Sequence, residues 1–190
     1  MRRLTVFNFT TVNGFLNDEN GNIGWHKQMD PGEDEKEYTS NAARSQHVLV
    51  FGRVTYQMMA WYWPSPEAAR QNPQMAQSMN ESEKIVFSRT LEKADWNNTT
   101  LVSGDLIEEI KKLKQQPGND LTILGSGSLV TQLSDAGLID QYEIMIDPIA
   151  IGSGTPMFNG LKEPLELKLV NSKVFKSGVV VLSYEKNGNG

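Results

Sequence analysis

Two short segments of this chain carry the residue types that bind phosphate. Val48-Leu-Val-Phe-Gly-Arg-Val-Thr-Tyr56 and Leu121-Thr-Ile-Leu-Gly-Ser-Gly-Ser-Leu129 each read as a buried apolar strand that ends at glycine and turns straight into a helix. Such a junction aims free backbone N–H groups, and the positive end of a helix dipole, at whatever lies above the strand. Phosphate is the usual occupant. Glycine without a Cβ lets it approach the backbone closely. Arg53 and Thr55 open the first helix, and Ser88-Arg89 closes a neighbouring strand. Two arginines and two hydroxyls converging at adjacent strand ends suit a phosphate monoester. A phosphorylated dinucleotide such as NADPH has two separate phosphate positions of this kind. The glycine pattern is not G-x-G-x-x-G, and no acidic ribose-binding residue follows it at the customary distance. Its alternative reading is a tight turn with no ligand.

The elements that must position these segments follow from hydrophobic pattern and turn chemistry. Leu4 to Phe9 is a β-prone run. Thr10 to Trp25 is rich in Asn, Gly and Asp and reads as a long, mobile loop. Asp34 to Ser45 is predicted helical, Val48 to Phe51 a strand, and Arg53 to Trp61 a helix. Pro64, Pro66 and Pro73 are read as breaking up the stretch that follows. Lys84 to Arg89 and Thr100 to Val102 are strands, and Asp105 with Glu108 makes a capping box for a helix burying Leu106, Ile107, Ile110 and Leu113. Leu121 to Leu124 is a strand and Ser126 to Ala136 a helix. Tyr142, Ile144 and Ile146 mark a half-buried strand, and Ile151 to Pro156 a second glycine-rich loop. Leu165 to Phe175 and Val179 to Tyr184 form a terminal hairpin around Ser177-Gly178. Residues 186–190 are expected to fray. Alternating strands and helices favour a mostly parallel sheet covered on both faces, with ligands beyond the carboxyl ends of its strands.

Composition narrows the function classes. A chain of 190 residues fits one domain spanning 1–190. Its net charge of −5 leaves no basic footprint for nucleic acid. No apolar stretch approaches the roughly 20 residues of a membrane helix, and no secretory signal is evident, so a cytoplasmic location is expected. With no cysteine there is no disulfide framework and no thiolate chemistry. The two histidines, His26 and His47, lie far apart, so no metal site is expected. His26 follows the loop and is within reach of a substrate, although a lone loop histidine is more often solvated. His47 reads as structural.

Gly52-Arg-Val-Thr-Tyr56, Ile85-Val-Phe-Ser-Arg89 and Leu124-Gly-Ser-Gly-Ser128, in this order and spacing, resemble the dihydrofolate reductase fold. The final third, Leu138 to Glu143 through Asp147-Pro148 to Gly152-Ser-Gly-Thr-Pro-Met-Phe158, is still more similar to the reductase domain of bacterial riboflavin biosynthesis, the RibD C-terminal group. Thr11-Val-Asn-Gly-Phe15 is similar to that group's Ser-Leu-Asp-Gly-Tyr signature. The resemblance covers nearly the whole chain. It implies a dihydrofolate reductase-like α/β three-layer sandwich, with a mostly parallel central sheet and a C-terminal antiparallel hairpin.

The same resemblance implies an NADPH-dependent oxidoreductase acting on a small planar heterocycle, pterin- or pyrimidine-like, and a homodimer. By match, Gly125, Ser126, Gly127, Ser128 and Leu129 would line the pyrophosphate and nicotinamide side. Gly52, Arg53, Val54 and Thr55 would hold the other phosphate region, and Ser88 and Arg89 would meet the 2′-phosphate and adenine. The substrate wall would include Trp25, Tyr56 and Met59, with Trp61, Tyr62 and Trp63 divided between substrate and an interface. Dihydrofolate reductases place a carboxylate on the first helix. Counting back from Gly52 lands near Lys36 and Glu37, in a stretch that also holds Glu33, Asp34 and Glu35 and serves equally as compensation of the helix dipole. The signature aspartate is Asn13 here. The proton-handling candidates are therefore Thr11, Asn13 and Glu37, acting through a held water. Two alternatives stand beside this reading: a true dihydrofolate or pterin reductase, and a catalytically inactive NADPH-binding or interaction module.

Overall fold

In a computed structural model of the protein, residues 1–26, 31–44 and 46–187 are described. Ser45 and residues 188–190, which the sequence assigns to a helix end and a frayed tail, lie outside them. Strands β1 (Leu4–Thr11), β3 (Val48–Gly52), β4 (Lys84–Phe87), β5 (Thr99–Val102), β6 (Leu121–Leu124) and β7 (Gln141–Asp147) pair in parallel, and β9 (Leu167–Val174) and β10 (Val180–Lys186) form the terminal hairpin. Together they make an eight-stranded sheet in the order β5-β4-β3-β6-β1-β7-β10-β9. The hairpin joins antiparallel to β7 through β10, so the rest of the sheet stays parallel.

Helices cover both faces. On one face α5 (Leu106–Gln115) and α6 (Gly127–Asp135) bury Ile110, Val130 and Leu133 against Val6, Val50, Leu121 and Ile123. At the centre of the sheet β3 is buried along its whole length and β6 along nearly all of it, so both read as continuous runs, whereas β1 alternates buried and half-buried positions. On the other face two smaller cores stand apart. One gathers Phe51, Val86 and Trp96 beneath α2 (Arg53–Tyr62) and α4 (Pro73–Glu81), through Tyr56 and Met79. The other packs Tyr38 of α1 (Glu33–Arg44) against Met145, Phe175 and Val181. The gap between these two cores leaves a groove over the middle of the sheet.

Two elements depart from the sequence expectations. The proline-rich stretch is not broken coil: α3 (Pro66–Gln71) and α4 each begin with proline in the first turn, capped by Ser65 and Asn72. Proline at the start of a helix loses no intrahelical hydrogen bond, so there it starts a helix rather than stopping one. The segment Thr10 to Trp25 holds a short strand, β2 (Phe15–Asn17), paired antiparallel with β8 (Thr155–Pro156) from the second glycine-rich loop. Asp18 then closes a local turn by accepting from the N–H groups of Asn20 and Asn22.

Candidate functional site

The parallel strands put the carboxyl ends of β1, β3, β4, β6 and β7 on one edge, and a cavity of about 1880 Å³ opens there and runs into the groove. That exceeds the roughly 300–1,000 Å³ of a pocket for one small ligand, leaving room for a cofactor and a substrate together.

Its floor is the pair of glycine junctions, and they are locked to each other. Ser126 Oγ accepts from the Gly52 N–H at 2.8 Å, and Thr55 Oγ1 accepts from the Ser126 N–H at 3.1 Å. Gly125 N–H donates to Asn8 Oδ1 at 2.6 Å. Gly125 takes φ +62°, and a Cβ there would sit 2.9 Å from Thr55 Cγ2. Ser126 follows in the left-handed region at φ 54°, an uncommon conformation held by the bonds just named. Neither α2 nor α6 has a side-chain cap at its N-terminus. Their first N–H groups are therefore left to the cavity, with the dipole pointing the same way. Arg53 and Arg89 stand exposed at the rim, with Arg53 Nη1 donating to Gln57 at 3.0 Å. Ser88 borders the cavity, but its Oγ accepts from the N–H groups of Thr90 and Leu91.

Gly52, Arg53, Val54, Thr55, Ser88, Arg89 and Gly125 through Leu129 all line this cavity. Leu129 offers it no donor, since its side chain is buried in the main core and its N–H is spent on Ser126 O. Met59 lines the cavity as well, with Trp61, Tyr62 and Trp63 beside it. One polar atom here was not foreseen. Asn8 Nδ2 is buried without a partner, and the Gly125 N–H fixes which way the amide faces.

Five sequence assignments need correction. Tyr56 lies inside the core under α2, where its hydroxyl accepts from the Trp96 N–H at 3.0 Å. Trp25 is buried and outside the cavity wall, with its ring edge toward His26. Thr11 is buried in a turn, donating to Asn13 Oδ1 and accepting from the Phe15 N–H. Asn13 pins the second glycine-rich loop, donating to Ile151 O at 2.8 Å and accepting from the Ile151 N–H at 3.3 Å. Glu37 is exposed on the far side of α1, whereas Glu35 lines the cavity, buried and accepting from Ser177 Oγ at 2.6 Å. Two residues along a helix is a rotation of about 200°, so a register error of two selects the opposite face.

The residue pair that sequence reasoning missed is His26 with Asp147. Asp147 closes β7 opposite Thr11 of β1, and its side chain is 1% exposed. His26 Nδ1 lies 3.1 Å from Asp147 Oδ1 and 3.2 Å from Oδ2. The imidazole packs on Phe9 with ring centroids 4.1 Å apart, and both His26 and Asp147 line the cavity. The sequence offers each member separately, His26 after the loop and Asp147-Pro148 at a strand end, but nothing in it joins them. His47 also borders the cavity, its Nδ1 2.8 Å from Thr122 Oγ1.

Comparison with known proteins fits this architecture. The family model of the RibD C-terminal domain matches residues 2–181. Among curated proteins, the chain is 31% identical to the uncharacterised YyaP of Bacillus subtilis, over 98% of this chain and 96% of that one. It is 23% identical to the uncharacterised YwjB of the same organism, over 94% and 95%. A putative riboflavin biosynthesis protein from Shewanella sp. PV-4 superposes with a TM-score of 0.77 at 22% identity, covering 98% of this chain and 99% of that one. A deaminase/5-amino-6-(5-phosphoribosylamino)uracil reductase from Thermotoga maritima superposes with a TM-score of 0.68 at 13% identity, covering 98% of this chain and 57% of that one.

Proposed function

Because this chain belongs to the RibD C-terminal domain family, we propose that it is an NADPH-dependent reductase that delivers a hydride to a small planar heterocycle of the pyrimidine or pterin class. One observation carries the reading: two helix N-termini without side-chain caps open on the same cavity from the ends of neighbouring parallel strands, β3 and β6. The Thermotoga neighbour, a uracil reductase by name, supports the pyrimidine class of substrate.

The residues present fit the dinucleotide. The N–H groups opening α6, at Gly127 and Ser128, would hold the pyrophosphate, and those opening α2 would take the second phosphate region. Arg53 and Arg89 would neutralise a 2′-phosphate, a group that NADH lacks. Asn8 Nδ2, buried and unpartnered, would donate to a carbonyl oxygen of the bound molecules. NADPH, when bound, supplies the hydride. Met59 and Trp63 would pack against a flat ring, while Glu35 gives the far end a carboxylate that accepts from ring N–H and amino groups. Glu35 on the cavity side of α1 also favours a second reading, a pterin reductase using that carboxylate as its substrate anchor.

The test is titration of the protein with NADPH and with NADH, followed by quenching of Trp61 and Trp63 at the cavity. Saturable NADPH binding at least tenfold tighter than NADH binding, reduced to parity in Arg53→Ala/Arg89→Ala, is the expected result. No saturable binding of either nucleotide would leave the inactive-module reading in its place.

A further inference from the structure

We propose that His26 and Asp147 form the proton-transfer pair of this cavity, with His26 Nε2 protonating a ring nitrogen as the carbon beside it receives hydride. The inference rests on the reductase reading above and names the proton donor which that reading lacks.

The geometry carries it in three steps. Asp147 is buried, and among the described residues its one cationic or potentially cationic partner is His26. A carboxylate only accepts, so the nitrogen facing it must bear hydrogen: Nδ1–H points at Asp147. Nε2 is then the exchanging nitrogen, and it has no protein partner among the described residues. Phe9 at 4.1 Å closes one face of the ring and leaves it little freedom to turn. Imidazole is also the side chain best suited to give and regain a proton near neutral pH. The other acids lining the cavity are already engaged: Glu35 Oε2 accepts from Ser177 Oγ, Glu143 from the Tyr38 hydroxyl, Asp105 from the N–H groups of Ile107 and Glu108, and Glu33 pairs with Lys36.

The chemistry balances for a ring C=N bond. The π bond breaks, the carbon gains H⁻ from NADPH, and the nitrogen gains H⁺ from His26 Nε2. The substrate is reduced by two electrons, NADPH is oxidised to NADP⁺, and neutral His26 is reprotonated from solvent. Asp147 acts through His26 as a positioning residue, holding the ring in one tautomer and one orientation.

Two measurements test this. Imidazole ¹H–¹⁵N correlation spectra of the intact protein, with His26→Gln and His47→Gln to separate the two rings, need neither cofactor nor substrate. The expected spectrum shows His26 with hydrogen on Nδ1, shifting toward the Nε2–H tautomer in Asp147→Asn; an Nε2–H tautomer in the unaltered protein overturns the proposal. The second is NADPH oxidation with 7,8-dihydrobiopterin, whose ring carries a C=N bond. His26→Gln is expected to lower kcat at least 100-fold while the NADPH Kd changes less than threefold. A kcat within threefold of the unaltered protein overturns the pair and leaves the reductase reading standing. Failure of the unaltered protein to bind NADPH overturns both.

Discussion

The helices of this protein begin in two different ways. In α3, α4 and α5 a side chain closes the first turn, even where Asn72 and Asp105 border the cavity: Ser65 accepts from the Ala68 N–H, Asn72 from Met75, and Asp105 from Ile107 and Glu108. At the two glycine junctions, α2 and α6 start from Gly52 and Ser126 with no such bond. Ser126 is a residue type that caps well, but its hydroxyl is turned to the Gly52 N–H instead. A cap stabilises a helix by about 1 kcal/mol. Leaving two helices without one gives up that stability and keeps the donors for a ligand.

The largest expected effect is at the point where the junctions meet. Gly125→Ala forces a side chain into the left-handed region and against Thr55, which should lower stability by about 2–3 kcal/mol and abolish NADPH binding. Urea denaturation and nucleotide titration check both parts. Next, Ser128→Asp places an acid in the first turn of α6, where the native side chain is exposed. The dipole favours it by about 0.3–1 kcal/mol, while its charge repels phosphate. Stability should hold or rise as NADPH affinity falls at least tenfold. A parallel loss of both would mean that the terminus is not a phosphate site.

Smaller effects belong to the capped helices. Ser65→Ala, at a cap outside the cavity, should cost about 1 kcal/mol of stability and leave NADPH affinity unchanged, by the same two measurements. α4 is also closed at its C-terminal end, by Lys84, whose Nζ donates to Met79 O at 2.8 Å and to Asn80 O at 3.2 Å while lying 4.5 Å over the Trp96 ring. Burial pushes this ammonium from 10.5 down to about 8. Between those values the unfolded chain keeps a proton that the folded chain has released, so this group makes stability rise with pH. Raising pH from about 7.5 to about 9 should add about 1 kcal/mol at most, read as a higher urea midpoint, and Lys84→Met should flatten the rise.

What could be read ahead of the fold follows the range of the interactions involved. Strand, glycine and helix in Val48 to Tyr56 and Leu121 to Leu129 are decided by neighbours along the chain, and the sheet they build is the one expected. The prolines at 66 and 73 were misread because their meaning depends on position within a turn. The strand Phe15–Asn17 was missed because its partner is Thr155–Pro156, far along the chain, and nothing local marks the pairing. Glu37 in place of Glu35 shows how a helix can be right while the face chosen on it is wrong.

The phosphate end of the cavity is therefore a property of local sequence: a Cβ-free residue, a turn and the first N–H groups of a helix, all within a few residues. The other end is not. His26 and Asp147 stand 121 positions apart. No motif links them, and they meet because parallel pairing of β1 with β7 brings Asp147 level with Thr11, while the segment through Trp25 folds back over Phe9. Backbone donors are legible where covalent neighbours create them. Side-chain pairs exist only once packing has chosen which distant residues share a buried surface.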